Sequence, residues 1–261
     1  MKRHFLARVG TTILAVSAIV IFPALTHSQT EPPGGANHFG DIADPSVWPI
    51  SAVGTLTIPW HSNLLVQCTG ALVAPKVVLT AAHCLSLAGQ TTHPGNVHFS
   101  ASLNRGVPLG HSVAERFEVP EAYNSIEEKS LTKVGADWAL IFLKETIPIK
   151  PVPVRTVSRD ELRMVSGSES AFQVGYGKDR RYLPSIARNC KISKTPLESV
   201  IQYECLTNFG YSGAPIFLAF DGQPAIIAIG SRGNADPQHP NGLACSASEF
   251  VKKVAEILQG E

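Results

Sequence analysis

The chain is predicted to be all-β, and three features of its 261 residues lead there. Short runs rich in Val, Ile, Phe and Thr, each about the length of a strand, recur between turn signals. Turn formers are abundant, with 21 Gly and 19 Pro. Helical patterning is confined to two places, so the alternation of strand and helix that builds a parallel sheet is missing.

At the N-terminus, Lys2, Arg3 and Arg8 precede an apolar run from Ile13 to Leu25, and Thr26 and Ser28 follow. This three-part layout predicts a secretory signal peptide over residues 1–28. The apolar run falls short of the roughly 18 to 20 residues of a spanning helix, which argues against a membrane anchor. Residues 29–47, beginning "QTEPPGGANHFGDIADPS", have no periodicity and read as an extended leader or pro-segment, with order starting near Trp48.

The predicted strands then follow in two groups. The first, within residues 48–150, holds "SAVGTLTIP", "CTGALVAP", "KVVLTAAHC", "NVHFSASL", "RFEVP" and "DWALIFL". The second, within residues 151–261, holds "SAFQVGYG", "NCKIS", "APIFLAF" and "PAIIAIGSRG". Between them, "KETIPIKPVPVRT" carries Pro148, Pro151 and Pro153, none of which can donate to a ladder, so it reads as a connector. One helical turn is expected after His83. A C-terminal α-helix is expected in "SASEFVKKVAEIL", where Ser246 and Glu249 suit a capping box and Phe250, Val254, Ile257 and Leu258 form one apolar stripe.

Composition excludes several functions. A net charge of +1 with 16% charged residues gives no electrostatic case for a nucleic-acid partner. His and Cys lack the close paired spacing of a zinc site, and neither a metal nor another cofactor is called for. The signal predicts a secreted or periplasmic protein without membrane attachment once the signal is removed, in a compartment where disulfides persist. A monomer is expected.

Three polar residues stand in chemically suggestive places. His83 follows an apolar strand in "LTAAHC", Asp137 immediately precedes another in "ADWALIFL", and Ser212 lies between glycines in "NFGYSGAPIF". Each alone is explained by a core histidine, a turn aspartate or a turn serine. Together they are the parts needed to activate a hydroxyl: an imidazole to take its proton and a buried carboxylate to hold the imidazole in the right tautomer. The α/β-hydrolase elbow does not fit, because Ala214 stands where its last glycine belongs and only His239 follows the serine.

"TAAHC", "DWAL" and "GYSGAP" resemble, in order, the three signature segments of the trypsin-like (chymotrypsin-fold) serine peptidases, and "CTGALVAPKVVLTAAHC" is the most specific of the matching stretches. The resemblance covers roughly Trp48 to the terminal helix. It implies two antiparallel six-stranded β-barrels with the site between them, whereas strand counting alone reaches only all-β. It implies a secreted endopeptidase acting on protein or peptide substrates, with His83, Asp137 and Ser212 as triad and the N–H groups of Gly210 and Ser212 as oxyanion hole. The alternative is a binding protein that kept the barrels and lost turnover.

The departures from the pattern are informative. Digestive relatives carry an aspartate before the nucleophile, which receives the new α-amino group after zymogen cleavage; Tyr211 cannot form that ion pair. In this the chain resembles the bacterial branch that includes glutamyl endopeptidases, and trypsin-style activation is expected to be absent. By the same resemblance, Leu206, Thr207, Gly230, Ser231, Arg232 and Gly233 form the base and wall of the primary specificity pocket. Leu206 replaces the aspartate of basic-specific enzymes, and Gly230 replaces the pocket histidine of glutamyl endopeptidases. Arg232 is either a compensating charge or a solvated surface residue.

The resemblance also implies a bridge from Cys68 to Cys84. Cys190 and Cys205 flank "KISKTPLESVIQYE", which reads as a hairpin and favours a cross-strand bridge, with Cys205 to Cys245 as the rival pairing.

Overall fold

A chain of short strands that are apolar on one side must close its sheets on themselves to bury that side without leaving open edges. The computed structural model shows two such closures. It describes residues 40–61, 64–87, 89–125, 129–165, 170–234, 236 and 238–260, so the expected signal peptide lies outside the described residues.

In chain order the elements are β1 (Asp41–Ile42), β2 (Val53–His61), β3 (Leu64–Ala74), β4 (Val77–Thr80), β5 (Ser86–Leu87), β6 (Gln90–Thr91), β7 (His98–Ala101), β8 (Gly110–Glu118), α1 (Leu131–Gly135), β9 (Ala139–Leu143), α2 (Arg159–Val165), β10 (Ala171–Gly175), β11 (Ser185–Leu197), β12 (Val200–Glu204), β13 (Pro215–Phe220), β14 (Gln223–Gly233), β15 (Gly242–Ser246) and α3 (Val251–Gly260). Strands β2, β3, β4, β9, β8 and β7 pair antiparallel in that order and close a six-stranded barrel. In the second half, β11, β10, β13, β14, β15 and β12 pair in sequence, and the β11–β12 hairpin closes the ring, giving a second antiparallel barrel of six. The fold is the one implied by the resemblance to chymotrypsin-like proteins.

The first barrel is filled by Leu56, Ile58, Leu72, Leu79, Phe99, Leu140 and Ile141, all fully buried. Its core runs on without a break into inward-facing residues of the second barrel, Val174, Tyr176, Phe217 and Ile229. Each such side chain contributes about 1.5–3 kcal/mol relative to its exposed state. The connector serves both barrels: the Val152 N–H donates to Leu72 O at 2.8 Å, and the Arg155 N–H to Ile226 O at 3.0 Å. Helix α3 returns to the first barrel, with Phe250 against Trp138 at 6.3 Å between ring centroids and Lys253 paired to Glu118 at 3.0 Å.

Several expectations need correction. Order does not wait for Trp48. Asp41 and Ile42 pair with Ile186 and Ser185 on β11, and the Ala43 N–H donates to Pro184 O, because β11 presents an open ladder edge there. Two helices were not foreseen, α1 and α2. At the C-terminus, Ser246 caps a 3₁₀ turn over Ala247–Glu249 by accepting from the Ser248 N–H, and the α-helix begins only at Val251. That phase shift leaves Leu258 half exposed, while Phe250 and Val254 are buried as the stripe requires.

Candidate active site

Strand register brings the first two residues together. Thr80, the last residue of β4, pairs with Ala139, the first of β9. His83 sits three residues beyond Thr80, in the 3₁₀ turn Ala82–Leu85, and Asp137 two residues before Ala139, so both lie at one rim of the barrel. Helix α1 delivers Asp137. It is capped by Ser130, whose Oγ accepts from the Lys133 N–H at 3.1 Å, and the Asp137 N–H closes its last turn on Val134 O.

The carboxylate of Asp137 is 4% exposed and grips the histidine twice. Its Oδ2 lies 2.7 Å from His83 Nδ1, and its Oδ1 accepts the His83 backbone N–H at 2.9 Å. Ser231, from β14 of the second barrel, donates its Oγ–H to the same Oδ2 at 2.5 Å. Burial works to raise the Asp137 pKa; the His83 imidazole and the three hydrogen bonds outweigh it and hold the carboxyl below its ordinary range. With Nδ1 tied to the acid, the ring nitrogen left for proton transfer is Nε2.

Ser212 lies in the loop between β12 and β13, and the first barrel holds that loop. The Thr69 N–H donates to Ser212 O at 2.9 Å, Thr69 Oγ1 to Gly210 O at 2.8 Å, and Thr80 Oγ1 to Thr69 O at 2.8 Å. Gly213, at φ +77°, is pressed so closely on the histidine turn that a Cβ there would lie 2.3 Å from Thr80 Oγ1 and 2.8 Å from Ala81 N. Ser212 is thus next to the residue in contact with Ala81, and His83 is two residues beyond Ala81.

The amides of this loop are used selectively. Those of Tyr211, Gly213 and Ala214 donate to Asn208 O, Gly230 O and Tyr211 O. Gly210 and Ser212 donate to no acceptor among the described residues. Gly210 adopts φ +98°, a conformation that costs a side-chain-bearing residue strain, and a Cβ there would meet Tyr176 O at 2.3 Å. The preceding peptide is fixed from the other side, because Phe209 O accepts the Lys178 N–H at 2.7 Å. Tyr211 borders the cleft with its ring packed beside Gly175 and Gly177. It is 3% exposed, its hydroxyl is hydrogen-bonded to the Ser185 side chain, and burial pushes its pKa up.

Beside Ser212 opens a cleft of about 400 Å³. Thr207, Gly230, Ser231, Arg232 and Gly233 line it. Leu206, expected at its base, does not; it packs against the core of the second barrel. Tyr203, Asn208 and Phe209 line the cleft unforeseen, since nothing local in the sequence marks them. Both expected bridges are present, Cys68–Cys84 and Cys190–Cys205, while Cys245 is a buried free thiol and the rival pairing does not form. Cys68, His83 and Cys84 gather their ligand atoms within 4.8 Å of one another, but the bridge consumes both sulfurs and Asp137 holds Nδ1, which leaves no metal-ligand set there.

A family model described as a trypsin-like peptidase domain matches residues 68–229, which span the histidine turn, the acid and the serine loop. The chain belongs to that family. Among solved structures, this trypsin-like peptidase shares its fold with a Glu endopeptidase in complex with MPD, with a TM-score of 0.64 at 17% identity over 87% of this chain and 99% of that one. No curated protein sequence matches the chain. None of the helices among the described residues of this family member is long and apolar enough to cross a membrane.

Proposed function

We propose that this trypsin-like peptidase is an exported serine endopeptidase that works through an acyl-enzyme on Ser212. The observation that carries the reading is the pair of unspent amides, Gly210 and Ser212, beside a histidine whose Nδ1 is 2.7 Å from a buried carboxylate. Ser212 Oγ attacks the substrate carbonyl carbon while its proton passes to His83 Nε2. The oxyanion is met by the two amides, and such donors are worth roughly 3 to 4 kcal/mol each in the transition state. Collapse breaks the C–N bond as His83 returns the proton to the leaving amine, and a water activated by the same nitrogen then releases the acyl group. Asp137 stabilises the imidazolium throughout.

The rival reading, a barrel-bearing binding protein, requires Tyr211 to hold the oxyanion loop wrongly. The hydrogen bond from Lys178 to Phe209 O argues against it, because it keeps that carbonyl engaged outside the hole and directs the Gly210 N–H the opposite way. A serine-directed fluorophosphonate tests the proposal. Labelling of the secreted protein that is lost in Ser212→Ala is the expected result, and absence of labelling in the folded wild type overturns it. Detection of the mature N-terminus in culture medium or periplasm tests export.

A further inference from the structure

Given the peptidase reading, we propose that the primary pocket selects a primary amide, so that this enzyme cleaves after glutamine, with asparagine as the shorter alternative, and not after glutamate. The argument starts from a missing side chain. Gly230 lines the cleft without a side chain, and the atoms nearest the space its Cβ would occupy are Gln173 Nε2 at 3.0 Å, the Tyr211 carbonyl oxygen at 3.1 Å and Tyr203 Oη at 3.3 Å. Gln173 and Tyr203 belong to different strands, β10 and β12, and both are essentially inaccessible from outside. They hydrogen-bond each other at 3.2 Å, while Gln173 Oε1 has no partner, the one such buried side-chain atom among the described residues.

That arrangement gives the cleft a donor. The Tyr203 oxygen accepts from Gln173 Nε2, which also donates to Ala214 O at 3.4 Å, so the phenol proton is available to an acceptor in the cleft, which Tyr203 lines. Thr207 adds a second group on the lining: its Oγ1 donates to Asn234 O at 3.2 Å, so its lone pairs are what it offers inward. A floor that gives one hydrogen bond and takes another is matched by a side chain with a carbonyl and an NH₂ on one carbon. Burial pushes the Tyr203 pKa up to about 12, so the phenol stays neutral.

A carboxylate fits this floor badly. It has no proton for Thr207 and would enter desolvated among hydroxyls. Arg232 is the charged residue of the lining and stands where β14 passes from buried Ser231 to exposed Gly233. A lysine or arginine finds no carboxylate on the lining to meet it.

The test is a set of peptides identical except for Gln, Asn, Glu, Leu or Lys before the scissile bond, assayed on wild type and Tyr203→Phe, with active sites counted by fluorophosphonate labelling. Phenylalanine keeps the ring that packs over Gly242 and removes only the hydroxyl. The expected result is a wild-type kcat/KM highest for Gln, with the Gln-to-Leu ratio falling about 10- to 100-fold in Tyr203→Phe. A wild-type preference for Glu, or a Gln preference that Tyr203→Phe leaves intact, overturns the pocket assignment while the peptidase reading stands. A protein that cleaves none of the peptides and takes no label at Ser212 overturns the peptidase reading and the pocket assignment with it.

Discussion

Replacing Thr69 by valine removes one oxygen from a fully buried position and tests whether the first barrel sets the geometry of the serine loop. That hydroxyl donates to Gly210 O at 2.8 Å and accepts the Tyr176 N–H at 3.0 Å, linking the loop to the end of β10. Valine has nearly the same shape, so no cavity forms and the loss is confined to hydrogen bonds. The Tyr176 amide is left buried without its partner, which costs about 1–3 kcal/mol, and the partly buried Gly210 carbonyl loses a bond worth about 0.5–1.5 kcal/mol. The sum, about 1.5–4.5 kcal/mol, corresponds to a fall in Tm of roughly 3–18 °C for a domain of this size. Catalysis suffers separately, because the Gly210–Tyr211 peptide is now held from one side only; kcat is expected to fall about 10-fold or more with KM little changed, since the oxyanion contact is made in the transition state. Thermal unfolding by circular dichroism and steady-state kinetics on the same preparation check both numbers. A variant with wild-type Tm and wild-type kcat would show that Thr69 is filler and refute the reasoning.

Other expectations rest on the same contacts. Ser231→Ala removes a hydrogen bond that lowers the Asp137 pKa. A carboxyl with a depressed folded pKa stabilises the protein above its unfolded value near pH 4 and loses that contribution as pH falls through the folded one, so the variant should be about 1–2 kcal/mol less stable at neutral pH, with the gap closing below about pH 4 in urea melts taken across pH. At the alkaline end, Tyr176, Tyr203 and Tyr211 all have pKa values raised by burial. Their contribution is complete below the unfolded value near 10 and is lost as pH rises toward the folded values, so absorbance at tyrosinate wavelengths should show these three ionising only together with loss of the near-ultraviolet dichroism; early ionisation of all five tyrosines would contradict the burial. Opening the Cys68–Cys84 bridge by a Cys84→Ala, Cys68→Ala pair frees a loop of sequence separation 16 and should cost about 3 kcal/mol, read as a lower denaturant midpoint.

Much of this architecture could be read from residue order, and the parts that could not share a cause. The strands around "CTGALVAPKVVLTAAHC" were legible because small and branched residues alternate with clear turns, and the Cys190–Cys205 bridge because "KISKTPLESVIQYE" folds back with Leu197 opposite Val200. Helix α2 carries a legible start signal as well: Ser158 and Glu161 form a reciprocal capping box, with the Ser158 N–H on Glu161 Oε2 at 2.8 Å and the Glu161 N–H on Ser158 Oγ at 3.2 Å. Of the candidate site, the three polar residues and Gly210 announced themselves by context. Thr69, Thr80, Tyr203 and Gln173 did not, because their importance comes from partners 11 to 141 positions away. Leu206, expected at the base of the pocket, packs against the core of the second barrel, a placement that local sequence does not mark.

Tyr211 separates a loop that has to be switched on from one that is built in. An ion pair to a newly cut terminus supplies its stabilisation only after the cut, because the positive partner does not exist before it. An aromatic plug supplies its share as the chain folds. The Tyr211 ring occupies the space beside two glycines, such that a Cβ at Gly175 or Gly177 would come within 2.8 or 3.1 Å of it, and burying a side chain of this size is worth about 1.5–3 kcal/mol whatever the state of the N-terminus. Its hydroxyl is bonded to Ser185, Ser185 to Arg180 at 3.0 Å, and Arg180 to Gly40 O at 3.3 Å. The chain therefore has a stake in the loop from Gly40 onward, through the Arg180 guanidinium, a serine hydroxyl and a main-chain carbonyl and not through a free amine. Under the proposed reading, cleavage ahead of Gly40 leaves every one of these contacts in place. The competence of the oxyanion site is then a property of folding, limited by how firmly β1 holds the edge of β11.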